Sequence, residues 1–290
     1  MESILNINIK DYQLINLDDV YKLKDIPYSL YAIISVDRMY FKEPISFDDH
    51  ININFSDIYH RHQCNMNVYS SVDKLELDII SNYPCDAMTL NGNRFVASDT
   101  YVMNNKHERE LKIEYIGISE KNKVCDRLSS HSTLQKIMAI NMANHTNRDL
   151  YLILFNPAHF DIRTYGIDDF KDANSDSLDV VSDEAIEHFM EMFGVSYKNT
   201  DKVVALLEAS LINIFKPEFN LEYKNSNFDK MFQTLEELYC HKFDKSIINI
   251  MLKEEDRGEK VVLYTDNKRI ELSQNNLYTV SMECPFKLIK

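Results

Sequence analysis

Apolar positions in the first third of this chain come as runs and alternations rather than at helical spacing. Residues 29–36 form an apolar run, and Ile51-Asn52-Ile53-Asn54-Phe55 alternates, the signature of a strand with one wet face. Pro27, Pro44, Pro84 and an Asn91-Gly92 turn signal separate these stretches, so residues 1–98 predict a mixed, strand-rich N-terminal domain. Further on, residues 111–118 read as a strand and 124–131 as a short helix. Ser132-Thr133-Leu134-Gln135 has the Ser-x-x-Gln form of a capping box that opens a second helix through Met142. Residues 150–155 read as a buried strand ended by Asn156-Pro157. Residues 161–182 are acidic, turn-rich and poorly periodic, which predicts a surface insertion. Residues 183–193 carry Ile186, Phe189, Met190 and Phe193 on one helical side. A helical pair over 228–252 and strands over 261–265 and 278–282 complete a C-terminal appendage.

One run stands apart. Val203-Val204-Ala205-Leu206-Leu207-Glu208-Ala209-Ser210-Leu211-Ile212 holds a single charge, and on a helix the neighbours of Glu208 at three and four positions are Val204, Ala205, Leu211 and Ile212. A carboxylate on a buried face must take up a proton or find a cation or donors, which makes Glu208 a candidate metal ligand. Around it the chain presents an ordered set. Glu114-Tyr115-Ile116-Gly117 closes a strand, and Arg127-Leu128-Ser129-Ser130-His131 places two basic side chains four apart, on one face of a helix. After Glu208 come Pro217, which ends the helix, and Asn220, whose side-chain amide can tie down the exit loop.

That order resembles the GIY-YIG nuclease family, over about residues 99–221. The resemblance implies an α+β fold, a small antiparallel sheet flanked by helices, here with the strand-rich N-terminal domain at 1–98 and the α/β appendage at 222–290. Position by position it implies that Tyr115 is the YIG tyrosine, Arg127 the catalytic arginine, His131 the histidine of restriction-type members, Glu208 the metal ligand and Asn220 the trailing asparagine. No Gly-Ile-Tyr stands shortly before Tyr115. The nearest substitute is Thr100-Tyr101-Val102-Met103, a β-prone run that predicts the first arm of a hairpin with 111–117 and makes Tyr101 the partner tyrosine. Ser29-Leu30-Tyr31 looks more like the missing triplet, but demands a long insertion inside the hairpin.

The chemistry implied is phosphodiester hydrolysis. Glu208 would hold a divalent cation, magnesium or manganese, and Arg127 would bind the phosphate through its planar fork. Tyr101 or Tyr115 would orient or deprotonate the water, with His131 as a second proton-handling group. The expected partner is nucleic acid, DNA before RNA, in restriction, defence or repair. The alternatives are an RNA nuclease, or an inactive scaffold that binds a protein partner through its acidic insertion.

Composition changes this picture in two ways. The formal charge is −14, awkward for a protein that grips phosphates, yet residues 102–136 hold seven Lys and Arg against five acids, while 161–200 hold three against ten. The acidic excess is therefore concentrated beside the site rather than in it. With 44% hydrophobic residues the chain is globular, and its five scattered cysteines, without a leader or a membrane-length apolar run, predict a reduced, cytoplasmic protein with no membrane partner. His60-Arg61-His62-Gln63-Cys64 invites a metal reading, but the paired spacing of a structural zinc site is missing, and an ordinary polar strand is expected there.

Overall fold

The structure, a computed structural model, describes residues 2–9, 11–17, 19–20, 29–47, 49–69, 77–78, 83–90, 92–103, 108–119, 124–144, 147–156, 159–165, 204, 207–208, 211–212, 214–221, 243–250, 261–272 and 278–283. It mixes α and β, with strand-rich sheets and few helices among these residues. The largest sheet has six strands: β1 (Asp11–Asn16), β2 (Leu30–Asp37), β3 (Arg109–Ile118), β4 (Arg148–Asn156), β5 (Val261–Tyr264) and β6 (Arg269–Leu272). Their spatial order is β6-β5-β3-β2-β4-β1, antiparallel throughout except where β3 runs parallel to β5.

This order corrects the expected division of the chain. β1 and β2 come from the segment assigned to a separate N-terminal domain, and β5 and β6 from the assigned appendage, yet all pair into one sheet with β3 and β4. Central β2 is buried on both faces from Leu30 to Val36, which explains why its sequence is a near-continuous apolar run. Residues 38–108 form an excursion between two adjacent antiparallel strands, and the entropy of closing such a loop grows only slowly with its length. The excursion holds the alternating strand His50–Asp57, paired with Gln63–Tyr69, and the hairpin Ala87–Leu90 with Asn93–Val96, turned at the positive-φ Gly92.

The excursion also holds the first correction at residue level. Residues Ala97–Met103 form a helix, α1, where a hairpin arm was expected. Tertiary hydrogen bonds override the β preference of Thr-Tyr-Val here. Asp99 Oδ1 accepts from Asn16 at 2.8 Å and from the Tyr151 hydroxyl at 2.7 Å, and Ser98 donates to Asp149 at 2.6 Å. Elsewhere Glu2–Ile9, His159–Tyr165, Phe243–Ile250 and Tyr278–Glu283 make a second, four-stranded sheet. Phe243–Ile250 is thus a strand where the second of a helical pair was expected, held between Glu2–Ile9 and Tyr278–Glu283. Residues 161–165, expected as the start of the acidic surface insertion, instead belong to the strand His159–Tyr165, held by pairing with Glu2–Ile9, while residues 166–182 of the insertion, the helix over 183–193 and the helix over 228–242 lie outside the described residues.

Helices α2 (Val124–Ser129) and α3 (Ser132–Ala143) cover one face of the large sheet. Val124, Leu128, Leu134 and Ile137 cluster there with Tyr31, Ile33, Leu152 and Leu154. The opposite face packs on α1 and on the helix that carries Val204, Leu207, Leu211, Ile212 and Phe215. Among the described residues no helix is long and apolar enough to cross a membrane.

Candidate functional site

A bulge in β3 decides where its tyrosine points. Ile113 sits opposite Ile34 of β2 and Tyr115 opposite Ile33, so Glu114 is one residue too many for the ladder. Before the bulge, Leu111 and Ile113 face the layer of α1. After it, Tyr115 and Gly117 share the face of Tyr31 and Ile33, and Ile116 takes over the α1 side. Without the extra residue, strict alternation would put Tyr115 on the same side as Leu111 and Ile113. Glu114 itself is pinned. Its carboxylate accepts from the Ser35 hydroxyl at 2.5 Å and lies 3.6 Å from the Arg148 guanidinium, while its carbonyl accepts from the Phe219 amide at 3.2 Å.

Gly117 and Tyr31 face each other across the β3–β2 ladder, and the glycine is a steric requirement. A Cβ there would stand 2.6 Å from Cε1 of Tyr115 and 3.0 Å from the Tyr31 hydroxyl. The bare backbone lets the two rings lean together, with centroids 6.3 Å apart. Asn220 locks the strand from outside: Oδ1 accepts from the Ile116 amide at 2.9 Å and Nδ2 donates to the Ile116 carbonyl at 2.8 Å. Both backbone groups of a strand residue are thereby satisfied by one buried amide.

Arg127, on α2, extends its exposed side chain over this pair, and the nearby Tyr31 and Tyr115 hydroxyls raise its already high pKa. The interaction is electrostatic rather than a well-formed hydrogen bond, because the fully buried Tyr31 hydroxyl has no partner within hydrogen-bonding geometry. Burial, then the neighbouring Tyr115, pushes the Tyr31 phenol well above its ordinary range, so it stays protonated at neutral pH.

His131 is not the last residue of an Arg-and-His helix face, as its spacing suggested. It is the N-cap of α3, in place of Ser132, and its Nδ1 accepts from the Leu134 amide at 3.1 Å. The cap occupies Nδ1 as an acceptor, so the neutral ring carries its proton on Nε2. Burial, with Arg127 nearby, lowers the His131 pKa and favours that neutral form. The ring stands edge-on to Tyr115 at 4.9 Å between centroids.

Glu208 reaches the same place from the other side of the sheet. Val204, Leu207, Leu211 and Ile212 bury the helix around it, and Lys216, at φ 47, followed by Pro217 ends the helix. Glu208 is 6% exposed, and burial raises its pKa to about 7, opposed by a bond from the Ile118 amide and by the charge of Arg127. Glu208 therefore sits at the end of β3, with one backbone donor and a cation in view but no ion-pair partner in contact among the described residues.

The structure thus gathers Tyr115, Arg127, His131 and Glu208 around the end of β3, with Asn220 bracing the strand from behind. It does not bring Tyr101 there. Tyr101 is buried in the layer on the opposite face, where its hydroxyl accepts from the Glu110 amide at 2.9 Å. The tyrosine beside Tyr115 is instead Tyr31, of the Ser29-Leu30-Tyr31 triplet. The objection to that triplet was a long insertion inside the hairpin, and the structure contains that insertion.

A separate group, Asp37, Asp57 and His62, brings ligand atoms within 4.8 Å of one another and could hold a metal ion. Its carboxylates are also engaged by protein donors. Asp37 pairs with Arg61 at 2.6 Å and Arg148 at 3.3 Å, and Asp57 accepts from the amides of Tyr59, Arg61 and His62. His62 thus belongs with two acids rather than with His60 and Cys64. Comparison of the chain with family models, with curated proteins and with solved structures gave no match.

Proposed function

We propose that this protein is a divalent-metal-dependent endonuclease that hydrolyses phosphodiesters, with a site of the GIY-YIG kind built from Tyr31, Tyr115, Arg127, His131 and Glu208. The observation that carries the reading is their convergence: five side chains with the chemistry that phosphoryl transfer needs come from four distant segments to one end of β3. DNA is the favoured substrate.

The residues fit a hard cation. A buried carboxylate with no ion-pair partner among the described residues suits magnesium or manganese, which keeps most of its water ligands when one protein oxygen binds it. When bound, the ion supplies charge neutralisation at the phosphate. Arg127 lays its fixed charge and paired donors on the phosphoryl oxygens, where negative charge builds as the bond breaks. Tyr31 stays protonated and lies beside Tyr115, so it would orient the attacking water by hydrogen bonding rather than act as its base, and the proton that water loses would pass to solvent. His131 presents Nε2–H, which makes it a donor to a phosphoryl or leaving oxygen, the step where a proton is needed.

The test is cleavage of supercoiled DNA, single-stranded DNA and RNA with and without magnesium or manganese, comparing the intact protein with Glu208→Gln and Arg127→Ala. Metal-dependent cleavage lost in both variants supports the reading. The net charge of −14 favours a second one, an inactive scaffold that binds a protein partner. That reading gains if no substrate is cut at any metal concentration.

A further inference from the structure

The cleft beside Tyr115, Arg127 and His131 is larger than a phosphate needs. Its volume is about 280 Å³, near the lower end of the roughly 300–1,000 Å³ of small-ligand sites. That is room for one flat organic group and too little for a duplex. Two segments complete its wall. The junction of α2 and α3 contributes Ser130, Ser132 and Thr133, and the loop that leaves the Glu208 helix contributes Phe219 and Leu221.

Phe219 is held in place by the strand that carries Tyr115. Its amide donates to the Glu114 carbonyl at 3.2 Å, and the next residue, Asn220, is tied to the Ile116 backbone by bonds of 2.9 and 2.8 Å. The ring is therefore fixed to β3, half-buried, beside the proposed catalytic groups. In the other segment the Ser130 hydroxyl donates to the Asp126 carbonyl at 3.2 Å, so its oxygen is left to accept, and Ser132 and Thr133 add two more hydroxyls. An aromatic plate in one wall and hydroxyls in the other suit a group with a π face and a polar edge, which is the chemistry of a nucleobase. Charge points to the same occupant. Arg127 lines the cleft and the Lys136 ammonium stands 6.0 Å from the centroid of the Phe219 ring, so cations accompany the plate, as a base borne on a phosphate backbone requires.

We propose that the cleft seats the nucleoside joined to the scissile phosphate, with its base stacked on Phe219 and the base edge bonded to Ser130 and Thr133. The inference rests on the nuclease reading and deepens it by naming the substrate class, a strand whose nucleotide at the cut is unpaired. With Arg127 on the phosphate, the group that enters the space beyond is the one covalently attached to that phosphate. In a paired duplex that base is stacked and hydrogen-bonded inside the helix, so entry costs its unpairing, and a single strand escapes that cost.

The experiment uses the full chain with magnesium or manganese and three fluorescein-labelled probes of twelve units. They are oligothymidylate, the same strand paired with oligodeoxyadenylate, and a strand of abasic tetrahydrofuran units that keeps every phosphate. The intact protein should cut oligothymidylate about tenfold faster, in kcat/KM, than either other probe, within the range that one base–aromatic stack is worth. Phe219→Leu should remove most of the preference over the abasic strand while leaving abasic cleavage unchanged, and Phe219→Tyr should keep the preference. A duplex or an abasic strand cut as fast as oligothymidylate by the intact protein overturns the inference. So does an equal loss on both single strands in Phe219→Leu, or a preference that survives that substitution. If no probe is cut at any metal concentration, the nuclease reading fails separately, and fluorescence anisotropy decides the cleft. Affinity for oligothymidylate no greater than for the abasic strand, or a difference that Phe219→Leu leaves intact, then overturns it.

Discussion

Replacing Glu208 by Gln separates a buried acid kept for function from one kept for stability. In the metal-free protein burial lifts the Glu208 pKa from 4.5 to about 7. Below pH 4.5 the group is protonated in both folded and unfolded chains, so Glu and Gln differ little there. As pH rises the unfolded carboxyl ionises first, and the folded state loses ground until the pH passes about 7. A shift of this size corresponds to roughly 3 kcal/mol. Gln has nearly the same shape, can still accept from the Ile118 amide and does not titrate. Glu208→Gln should therefore match the parent protein near pH 4.5 and exceed it by about 3 kcal/mol at pH 8, with groups common to both cancelling in the difference. Urea unfolding with a chelator present, at pH 4.5, 6 and 8, measures this directly. Adding magnesium at pH 8 should raise the melting temperature of the parent but not of the variant, since only a carboxylate gains by coordination. A stability difference that is flat across pH would refute the argument from burial, and an equal response of both proteins to magnesium would remove Glu208 as the ligand.

Arg127→Ala should lower turnover by roughly 10²–10³ with unfolding midpoints unchanged, because the side chain is exposed and contributes donors rather than packing. Tyr31→Phe and Tyr101→Phe should behave oppositely. The first should cut turnover by roughly 10² at no loss of stability, since the hydroxyl it removes is unpartnered, while the second should lose about 1 kcal/mol with the bond to the Glu110 amide and leave kcat alone. Gly117→Ala should push the Tyr115 ring aside and cost about 1–3 kcal/mol by overpacking, with a fall in turnover that Tyr115→Phe does not reproduce by geometry alone; circular dichroism melts and cleavage rates check both. His131 has a lowered folded pKa, so stability should fall as pH drops below about 6.5, where the unfolded histidine protonates first. Nitrogen-15 shifts should show the proton on Nε2 at pH 7.5, and a proton found on Nδ1 would refute the cap.

The amino-acid sequence by itself determined the local elements that rest on periodicity and turn chemistry: the apolar run of β2, the alternation of His50–Asp57, the turn at Gly92 and the break at Pro217. It also singled out Glu208, because one charge in an apolar helical run needs no tertiary knowledge to look out of place, and Asn220, as an amide able to tie down the loop after the helix stop at Pro217. Other features depend on interactions between residues far apart in the chain. Thr100-Tyr101-Val102 has strand propensity, yet α1 forms because Asn16, Tyr151 and Asp149 bond its first turn, and those partners are visible only once the sheet exists. The pairing of Tyr31 with Tyr115 spans residues 38–108, a separation that sequence reading counts against a hairpin although closing a longer loop adds little entropy cost. The bulge at Glu114 is likewise a tertiary decision, tied to Ser35, Arg148 and Phe219, and it turns Tyr115 from the face that simple alternation assigns it to the face where Tyr31, Arg127 and His131 meet.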